Sequence, residues 1–375
     1  MTLHAQWQTL DSLIASRWED DLHTALEDDL RKDSSGTLLF LPHPYSSTTG
    51  YTPSSPEMSA WDTHFINLAL LEHGRYDLVL NHVLNYLFQI ERHGFMPTGN
   101  RASSSTRSQT PVFPNSIWSY YQATGQRAIL HRAYPLLLRE YTGYWAQTSL
   151  DFTTLFDGDL RQGTPLITNC ALVQYARVLS WIAQELGERT EALRWQMEAK
   201  ERAQRIQDLC WNEEAGFFFE YDYEKQQQLP FWSLSAYWTL WAAIATEEQS
   251  QRLAEHLIRF EQPHGLSLTD QQYTSPLSQF AWIQWGYPVG WAPLHIITVS
   301  GLDAYGHHEE ARRVSEKFVS LLLKIFQETE NLYEKYNVLD GNAQLPAEHR
   351  SEAPARTSTA AVILGRRVFT DRLAH

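Results

Sequence analysis

The stretch 98–111 sets polar side chains between two apolar segments with helical periodicity. It contains two arginines, Arg101 and Arg107, together with Asn100 and Gln109. Guanidinium and amide groups donate hydrogen bonds in fixed directions, and such donors suit a ligand with many hydroxyl groups. The sequence therefore predicts a loop here that binds a hydroxyl-rich molecule.

The overall composition is compatible with such a ligand. The chain of 375 residues contains 14 Trp, 18 Tyr and 16 Phe, whose flat apolar faces fill protein cores and also line sugar clefts. The net charge of −14 is spread along the chain, so there is no basic stripe to neutralise phosphates. We expect most aromatic side chains to lie in the core, and we expect no nucleic-acid partner.

Helical periodicity dominates the elements that would position this loop, and strand-like alternation is nearly absent. Glycines follow the periodic segments at the expected helix ends, in turns at Gly74, Gly125, Gly187 and Gly306. Short turns of this kind join sequential antiparallel helix pairs. Helices are predicted over residues 60–73, 77–92, 112–124, 128–147, 166–186, 189–211, 233–244, 248–260, 288–305, 308–327 and 355–368.

Two kinds of helix and one set of long connectors define the predicted architecture. Residues 61–71 are more apolar and rich in small or aromatic residues, whereas 192–208 carry charges on one face, which indicates inner and outer layers. Long polar connectors, where sites are usually built, follow at the other end of the pairs. We predict an all-α fold, an (α/α)6 barrel with its site on long loops at one end. The alternative is a superhelical repeat array, which no repeat motif favours. The domain prediction is a single domain over 1–375, with 1–56 as an N-terminal helix and aromatic loop region.

Several segments resemble the trehalase family in the same order along the chain. The segment Trp61-Asp62 with Phe65 and Leu68 is similar to the family's YYWDSYF, 290–294 to NGWAPLQ and 334–336 to VEKYD, while 211–222 looks like a hairpin common in these hydrolases. The resemblance covers about residues 57 to 340. It implies an (α/α)6 barrel of the trehalases and the related mannosylglycerate and glucosylglycerate hydrolases. The matches to the signature NGNRxYYLxRSQPP are Gly99, Asn100, Arg101, Arg107, Ser108, Gln109 and Pro111.

The resemblance also implies two catalytic carboxylates. An inverting glycosidase needs one acid for the leaving oxygen and a second carboxylate that activates water. The family's base falls on Glu334, for which the alternative is a surface glutamate beside a lysine. Its acid falls on Asp157, with Asp159 as the second candidate and a solvated turn as the alternative. Around it, Phe156 replaces the family's tryptophan and Arg161 keeps its spacing.

The same resemblance implies how the sugar would be bound. Trp61 offers a stacking face, Asp62 a bidentate acceptor, and Asn100, Arg107 and Gln109 offer donors. Trp291 is expected in a cleft wall or in the core. The predicted substrate-binding residues are Trp61, Asp62, Asn100, Arg107, Gln109, Trp291, Tyr51, Arg161 and Tyr336.

Departures from the family pattern bear on the substrate. Thr98 replaces the asparagine that opens NGNR, the RPE segment before Asp157 is absent, and residues 355–360 lack GFGWTNG. The segment 42–51 with its tyrosines is similar to the related bacterial hydrolases and suits a lid over a small aglycone. We therefore expect an inverting α-glycosidase for a small α-glycoside such as glucosylglycerate, mannosylglycerate or glucosylglycerol. The alternative substrate is trehalose.

Two other classes of function stay open at this point. Sugar epimerases on α/α barrels use histidine acid/base pairs, and the chain has 15 His. A catalytically inactive sugar-binding barrel is the second. Because His64, His93, His295 and the pair His307-His308 show no metal-ligand spacing, we predict no metal and no other cofactor.

Location and partners follow from weaker signals. Residues 1–18 lack a basic segment followed by an apolar one, and no apolar run approaches 18 residues, so we expect a cytoplasmic protein with no membrane partner. Cys170 and Cys210 lie in apolar helical patterns and are read as buried thiols. The expected partner is a small-molecule glycoside, and the sequence leaves homo-oligomerisation open.

Overall fold

The computed structural model describes residues 2–47, 57–146, 165–222, 225–273, 286–345 and 358–370. Most of these residues are helical. The helices are α1 (Leu3–Ser16), α2 (Glu27–Lys32), α3 (Ala60–Glu72), α4 (Tyr76–His93), α5 (Pro114–Thr124), α6 (Ala128–Glu140), α7 (Pro165–Leu186), α8 (Arg189–Cys210), α9 (Trp238–Trp241), α10 (Glu247–His256), α11 (Ala292–Ala304), α12 (His308–Thr329) and α13 (Ser358–Phe369). Most bounds agree with the predicted segments to within a few residues. The exceptions are 128–147, where α6 ends at Glu140, 233–244, where α9 covers only Trp238–Trp241, and the start of 288–305; no segment was predicted for α2.

Short irregular helices and antiparallel two-stranded ladders connect these helices. A π-helical turn, Tyr141–Trp145, continues α6, and a 3-10 helix, Leu234–Tyr237, leads into α9. The strands are β1 (Leu22–Ala25), β2 (Leu41–Ser46), β3 (Trp211–Asn212), β4 (Phe217–Phe218), β5 (Tyr221–Asp222), β6 (Gln227–Gln228), β7 (Glu261–Gln262), β8 (Gly265–Leu266), β9 (Val289–Trp291) and β10 (Lys335–Asn337). Each strand pairs with its neighbour in this order. The hairpin predicted within 211–222 is present as β3 and β4.

One compact unit comprises residues 16–154 and 171–203. In it α3 packs on α4 and α5 packs on α6. Gly74 and Gly125 end α3 and α5 with φ angles of 71° and 67°, a left-handed conformation that favours glycine. Because these turns are short, consecutive helices are antiparallel neighbours, as predicted. Strand β2 lies against α4, where the Ser46 amide donates to His82 Nε2 at 2.9 Å.

The second compact unit comprises residues 1–15, 155–170 and 204–375. Its centre is the largely buried α11, against which α9, α12 and α13 pack. The buried Asp303 at the end of α11 accepts two hydrogen bonds from Arg367 of α13, at 2.6 and 2.8 Å. This buried bidentate ion pair joins α13 to α11, and the desolvation of its two charges offsets much of their attraction. In α1, Trp7 Nε1 donates to the Ala361 carbonyl at 2.8 Å.

The prediction that a helix begins at residue 288 is wrong for its first turn. Residues 289–291 form strand β9, which pairs with β10, and the helix begins at Ala292 with Pro293 in its first turn. A strand of three residues carries too little periodicity to compete with the apolar helix that follows it. The single-domain assignment for 1–375 stays a prediction.

The two cysteines are buried thiols, as the sequence indicated. Burial, together with the nearby Glu220, raises the pKa of the Cys210 thiol well above its usual range. Among the described helices, none combines the length and apolar character needed to cross a membrane.

Candidate functional site

Asn100 is fully buried in the loop 98–111, and its amide is bonded within the protein. Its Oδ1 accepts from the Met58 amide at 2.8 Å, and its Nδ2 donates to the Leu39 carbonyl and to the Tyr45 hydroxyl, each at 3.3 Å. These contacts hold three chain segments together. They do not support the prediction that Asn100 donates to a sugar.

Gln109 connects the loop to the start of α3. Its Oε1 accepts from Ser59 Oγ at 3.1 Å and from the Trp61 amide at 2.9 Å. Ser59 is the N-cap of α3, and its hydroxyl also accepts from the Asp62 amide at 3.3 Å. The half-buried Asp62 thus lies in a first helical turn, where the helix dipole favours a carboxylate. The structure brings Trp61, Asp62 and Gln109 together in one small cluster.

Trp61 contributes little surface to this cluster. Its side chain is 5% exposed, and its ring centroid lies 5.2 Å from that of Phe65. Most of its ring therefore serves the core, and at most one edge is open to a ligand.

The two arginines of the loop differ in environment. Arg101 is buried, and its Nη1 donates to Thr37 Oγ1 at 2.7 Å and to Ser35 Oγ at 3.1 Å, with Asp33 3.5 Å away. Hydrogen bonds from the Leu38 amide and from Ser35 are the main causes that lower the Asp33 pKa to about 2. Arg107 is exposed, and its carbonyl accepts from the Thr98 amide at 2.8 Å, which closes the loop. Of the two, Arg107 is the one whose side chain reaches solvent.

Strands β9 and β10 bring two predicted site residues close together. Lys335 stands opposite Trp291, and Glu334 directly precedes β10. The Glu334 side chain is 31% exposed, and its Oε1 lies 3.4 Å from the ammonium of Lys335, which is itself buried. That ammonium also lies 5.8 Å from the centre of the Trp291 ring. A carboxylate, a cation and an indole therefore lie close together at one end of this two-stranded ladder.

Tyr336 and Trp291 lie deeper than the prediction of site-lining residues implies. Tyr336 is fully buried, its ring lies edge-on to Phe318 at 5.6 Å, and its hydroxyl accepts from the Tyr333 amide at 2.7 Å. Strand alternation alone would place Glu334 and Tyr336 on the same face. Their burial differs because Glu334 lies before the ladder, whereas Tyr336 is paired with Gly290 inside it. Trp291 is 4% exposed. Four other predicted residues, Tyr51, Asp157, Asp159 and Arg161, lie outside the described residues.

The buried histidines are hydrogen-bonded and neutral. Burial lowers the pKa of His64 and of His82 to about 3 and that of His295 to about 4. His82 donates from Nδ1 to Asn67, and His295 accepts from the Leu266 amide on Nε2. None of these three forms the acid/base pair that an epimerase requires. Among the described residues, no group of three or more His, Cys, Asp or Glu side chains could hold a metal ion.

Two contributors to the site were not anticipated. Lys335 lies between two residues that the sequence singled out, yet its burial beside Glu334 depends on the pairing of β9 with β10. Ser59 could have been found, because a serine three residues before an acidic residue at the start of an apolar run is a known N-cap pattern.

Comparison with protein-family models identifies a match to the model described as trehalase, over residues 12–162 and 151–350. The cytosolic neutral trehalase of Kluyveromyces lactis is 23% identical over 376 residues, covering 76% of this chain and 50% of that protein. The periplasmic trehalase of Xanthomonas oryzae pv. oryzae is 26% identical over 381 residues, covering 82% of this chain and 64% of that protein. The chain thus spans about half the length of the yeast relatives it matches and about two thirds of the bacterial ones.

Solved structures with the same fold include two glycoside hydrolases. The neutral trehalase Nth1 of Saccharomyces cerevisiae superposes with a TM-score of 0.71 at 22% identity, covering 87% of this chain and 73% of that one. The GH63 mannosylglycerate hydrolase of Thermus thermophilus, in complex with glucose, gives a TM-score of 0.66 at 16% identity, covering 88% of this chain and 96% of that one. These likenesses confirm the predicted fold class, an (α/α)6 barrel. Since the family model matches well over half of its residues, the chain belongs to the trehalase family.

Proposed function

We propose that this protein is an inverting α-glycosidase that hydrolyses a small α-glycoside such as glucosylglycerate, mannosylglycerate or glucosylglycerol. The observation that carries the proposal is the partly exposed Glu334 carboxylate, which lies next to Lys335 at the start of β10, with the Lys335 ammonium 5.8 Å from the centre of the Trp291 ring. The family match supports the reaction type. The proposed partner is therefore a small sugar glycoside.

Glu334 is the proposed general base. Its carboxylate is partly exposed, so a water molecule can reach it, while Lys335 lies against one of its oxygens. Glu334 takes a proton from that water, whose oxygen bonds to the anomeric carbon as the glycosidic bond breaks. The proposed acid, Asp157 with Asp159 as second candidate, gives its proton to the leaving oxygen. The sugar is released with inverted anomeric configuration.

The loop residues divide into two proposed roles. Arg107 and Asp62 are proposed to contact sugar hydroxyls, because Arg107 is exposed and Asp62 is only half buried. Asn100 and Gln109 are proposed to position the loop and the start of α3, since their contacts to protein atoms are already made. Trp61 and Trp291 offer only narrow aromatic edges. The roles of Tyr51 and Arg161 rest on the family resemblance alone.

Trehalase is the second candidate function. It is favoured by the family match and by relatives that are named trehalases. Thr98 in place of the family's asparagine and the absent RPE segment favour the smaller aglycone instead.

Proton NMR of the purified protein with a panel of α-glycosides separates these candidates. The panel is trehalose, glucosylglycerate, mannosylglycerate, glucosylglycerol and a simple α-glucoside, with the anomeric signals followed from the first minutes. We expect early β-anomer from one of the small glycosides and much slower reaction of trehalose. Early α-anomer in place of β-anomer from a glycerate or glycerol glycoside would contradict inversion. Trehalose does not provide this test, because cleavage of its α,α-linkage with inversion releases one β-glucose and one α-glucose. A fast reaction of trehalose alone would replace the first candidate by the second. Asp157→Asn and Asp159→Asn, assayed on the substrate so found, assign the acid.

We also propose a cytoplasmic location. Both cysteines are buried thiols rather than halves of a disulfide, which fits a reducing compartment. Cytosolic and periplasmic proteins both occur among the relatives, so fractionation of the native host decides the point. Recovery of the protein with periplasmic markers would contradict the proposal.

A further inference from the structure

A buried carboxylate that the proposed reaction does not use lies at the end of α6. Glu140 is fully buried, and its Oε2 accepts from the hydroxyls of Tyr86 at 2.6 Å and of Tyr175 at 2.7 Å. Its Oε1 accepts from the Met96 amide at 2.7 Å. Met96 lies two residues before the loop 98–111. One carboxylate oxygen therefore faces two helices, and the other holds the chain where it enters the loop.

The π-helical turn that follows Glu140 reaches the same loop near its other end. The hydroxyl of Tyr144 accepts from the Ser108 amide at 3.0 Å, and Ser108 lies between Arg107 and Gln109. The Tyr144 ring also stacks on Phe95, with ring centroids 4.4 Å apart. π-helical turns are rare, and they occur frequently at functional sites.

The loop depends on these contacts at both of its ends. The loop is also closed by two internal hydrogen bonds, because the amide and the hydroxyl of Thr98 both donate to the Arg107 carbonyl, at 2.8 and 3.0 Å. Ser108 is 7% exposed, so without Tyr144 its amide would lose a partner in a place that water reaches poorly. A shift at Ser108 would move Arg107 and Gln109 with it.

We propose that Glu140 and Tyr144 are positioning residues that hold the entry and the exit of the substrate-binding loop. This inference rests on the proposed function for its effect on catalysis. Glu140 sets the position of Met96, and Tyr144 sets that of Ser108. Both belong to one continuous stretch of α6 and its π-helical turn, so the two ends of the loop are fixed to a single rigid support. Neither side chain touches the substrate.

The chain offers a matched control for each residue. Tyr141 lies on the same π-helical turn and donates to Glu198 at 3.0 Å, away from the loop, so Tyr141→Phe removes a hydroxyl but no loop contact. Tyr175→Phe removes one donor to Glu140 but leaves the Met96 contact in place. Tyr144→Phe and Glu140→Leu are the test variants, since leucine offers the Met96 amide no acceptor.

Amide hydrogen exchange, read by mass spectrometry on the full chain, tests the positions directly. We expect peptides that cover 98–111 to exchange about three- to tenfold faster in Tyr144→Phe than in Tyr141→Phe, the effect that loss of one hydrogen bond produces. Glu140→Leu is expected to accelerate exchange around Met96, and Tyr175→Phe is not. Equal exchange in each test variant and its control would overturn the proposal.

Kinetics on the substrate identified by the NMR panel, with D-glucose as the binding probe, give the second readout. We expect Tyr144→Phe to raise KM, and the Kd of glucose, by at least about fivefold while kcat changes less than about threefold. Tyr141→Phe should leave both within about twofold. An unchanged KM in Tyr144→Phe would overturn the proposal. If the wild-type protein neither hydrolyses a glycoside nor binds glucose, the proposed function fails, and the exchange comparison alone decides the two positioning roles.

Discussion

The loop 98–111 and the β9–β10 ladder both carry trehalase-family motifs, but they use their polar side chains differently. In the loop, Asn100 and Arg101 are buried and bonded to protein atoms, so much of the motif builds the scaffold. In the ladder, the tyrosine and the lysine of the motif are buried and the glutamate beside them is partly exposed. A motif therefore identifies a site, but burial decides which of its residues can meet a ligand.

The largest expected effect is the loss of turnover when Glu334 of the β9–β10 ladder is replaced. Glu334→Gln removes the proposed base without changing the size of the side chain, so we expect kcat to fall by about 10³-fold or more. The thermal midpoint should stay close to that of the wild type because the carboxylate is partly exposed. Turnover of the best substrate and a thermal melt measure the two quantities.

Glu328→Gln is the control, since this glutamate is exposed on α12. It should leave both turnover and melting unchanged. Retention of more than about a tenth of wild-type kcat in Glu334→Gln would exclude the base role, because loss of general base catalysis costs on the order of 10²–10⁴.

The buried Arg101 and the exposed Arg107 test, within the single loop 98–111, whether burial separates structural residues from ligand-binding ones. Arg101→Ala breaks buried contacts to Ser35 and Thr37 and should lower the free energy of unfolding by about 2 kcal/mol. Arg107→Ala should change it by less than about 0.5 kcal/mol while weakening substrate binding about tenfold. Urea unfolding and KM give the two values. The reverse pattern would show that burial does not separate their roles.

The pH dependence of the free energy of unfolding reports on buried groups of the scaffold, such as His82. His82 accepts from the Ser46 amide, and burial lowers its pKa to about 3 from an ordinary value of 6.5. Between these values the unfolded chain binds a proton that the native state does not, so the free energy of unfolding falls as pH falls from 6.5. The slope amounts to at most about 1.4 kcal/mol per pH unit. Burial raises the pKa of Glu140 above its ordinary value of 4.5. Between 4.5 and the raised pKa the native state binds a proton that the unfolded chain does not, so this group makes the free energy of unfolding fall as pH rises.

Urea unfolding at pH 7 and pH 5 measures this slope. His82→Gln keeps an acceptor for Ser46 and cannot be protonated, so its slope should be shallower than that of the wild type. His131→Gln, at an exposed position on α6, should leave the slope unchanged. Parallel slopes for all three proteins would refute the assignment of His82 as a buried neutral acceptor.

The smallest effect is expected at Thr98, where the family has asparagine. Thr98→Asn restores the family residue, but Thr98 is bonded to Arg107 through both its amide and its hydroxyl. We expect the ratio of trehalose to glucosylglycerate turnover to rise by no more than about threefold, because the absent RPE segment is not restored. Thr106→Asn, at an exposed threonine of the same loop, is the control. A much larger rise would identify residue 98 as the main determinant of the aglycone.

Much of the fold was predictable because the signals were local. Gly74 and Gly125 adopt the left-handed conformations that their positions after apolar runs suggest, and the adjoining helices begin and end where periodicity places them. Strand β9 was missed because its partner, β10, lies more than 40 residues further along the chain. Pairing over that distance leaves no periodic trace in a three-residue segment.

The site was predictable in residue type but not in orientation. Asn100 and Gln109 are both amides in the same motif, yet only the structure shows that Asn100 is bonded on both amide atoms to protein groups from other segments. Those partners lie 42 to 61 residues away in sequence, so no spacing rule reveals them. Tyr336 was predicted at the surface of the site, although the strand places it in the core.

The burial of both cysteines makes the chain convenient for labelling. The sequence contains two cysteines, and Cys170 and Cys210 are each fully covered, so neither thiol should react with maleimides in the native state. A single cysteine introduced at the exposed Ser103 would place a fluorophore or a spin label on the loop 98–111 without removal of a native cysteine. Movements of that loop during turnover then become observable in the otherwise unmodified protein.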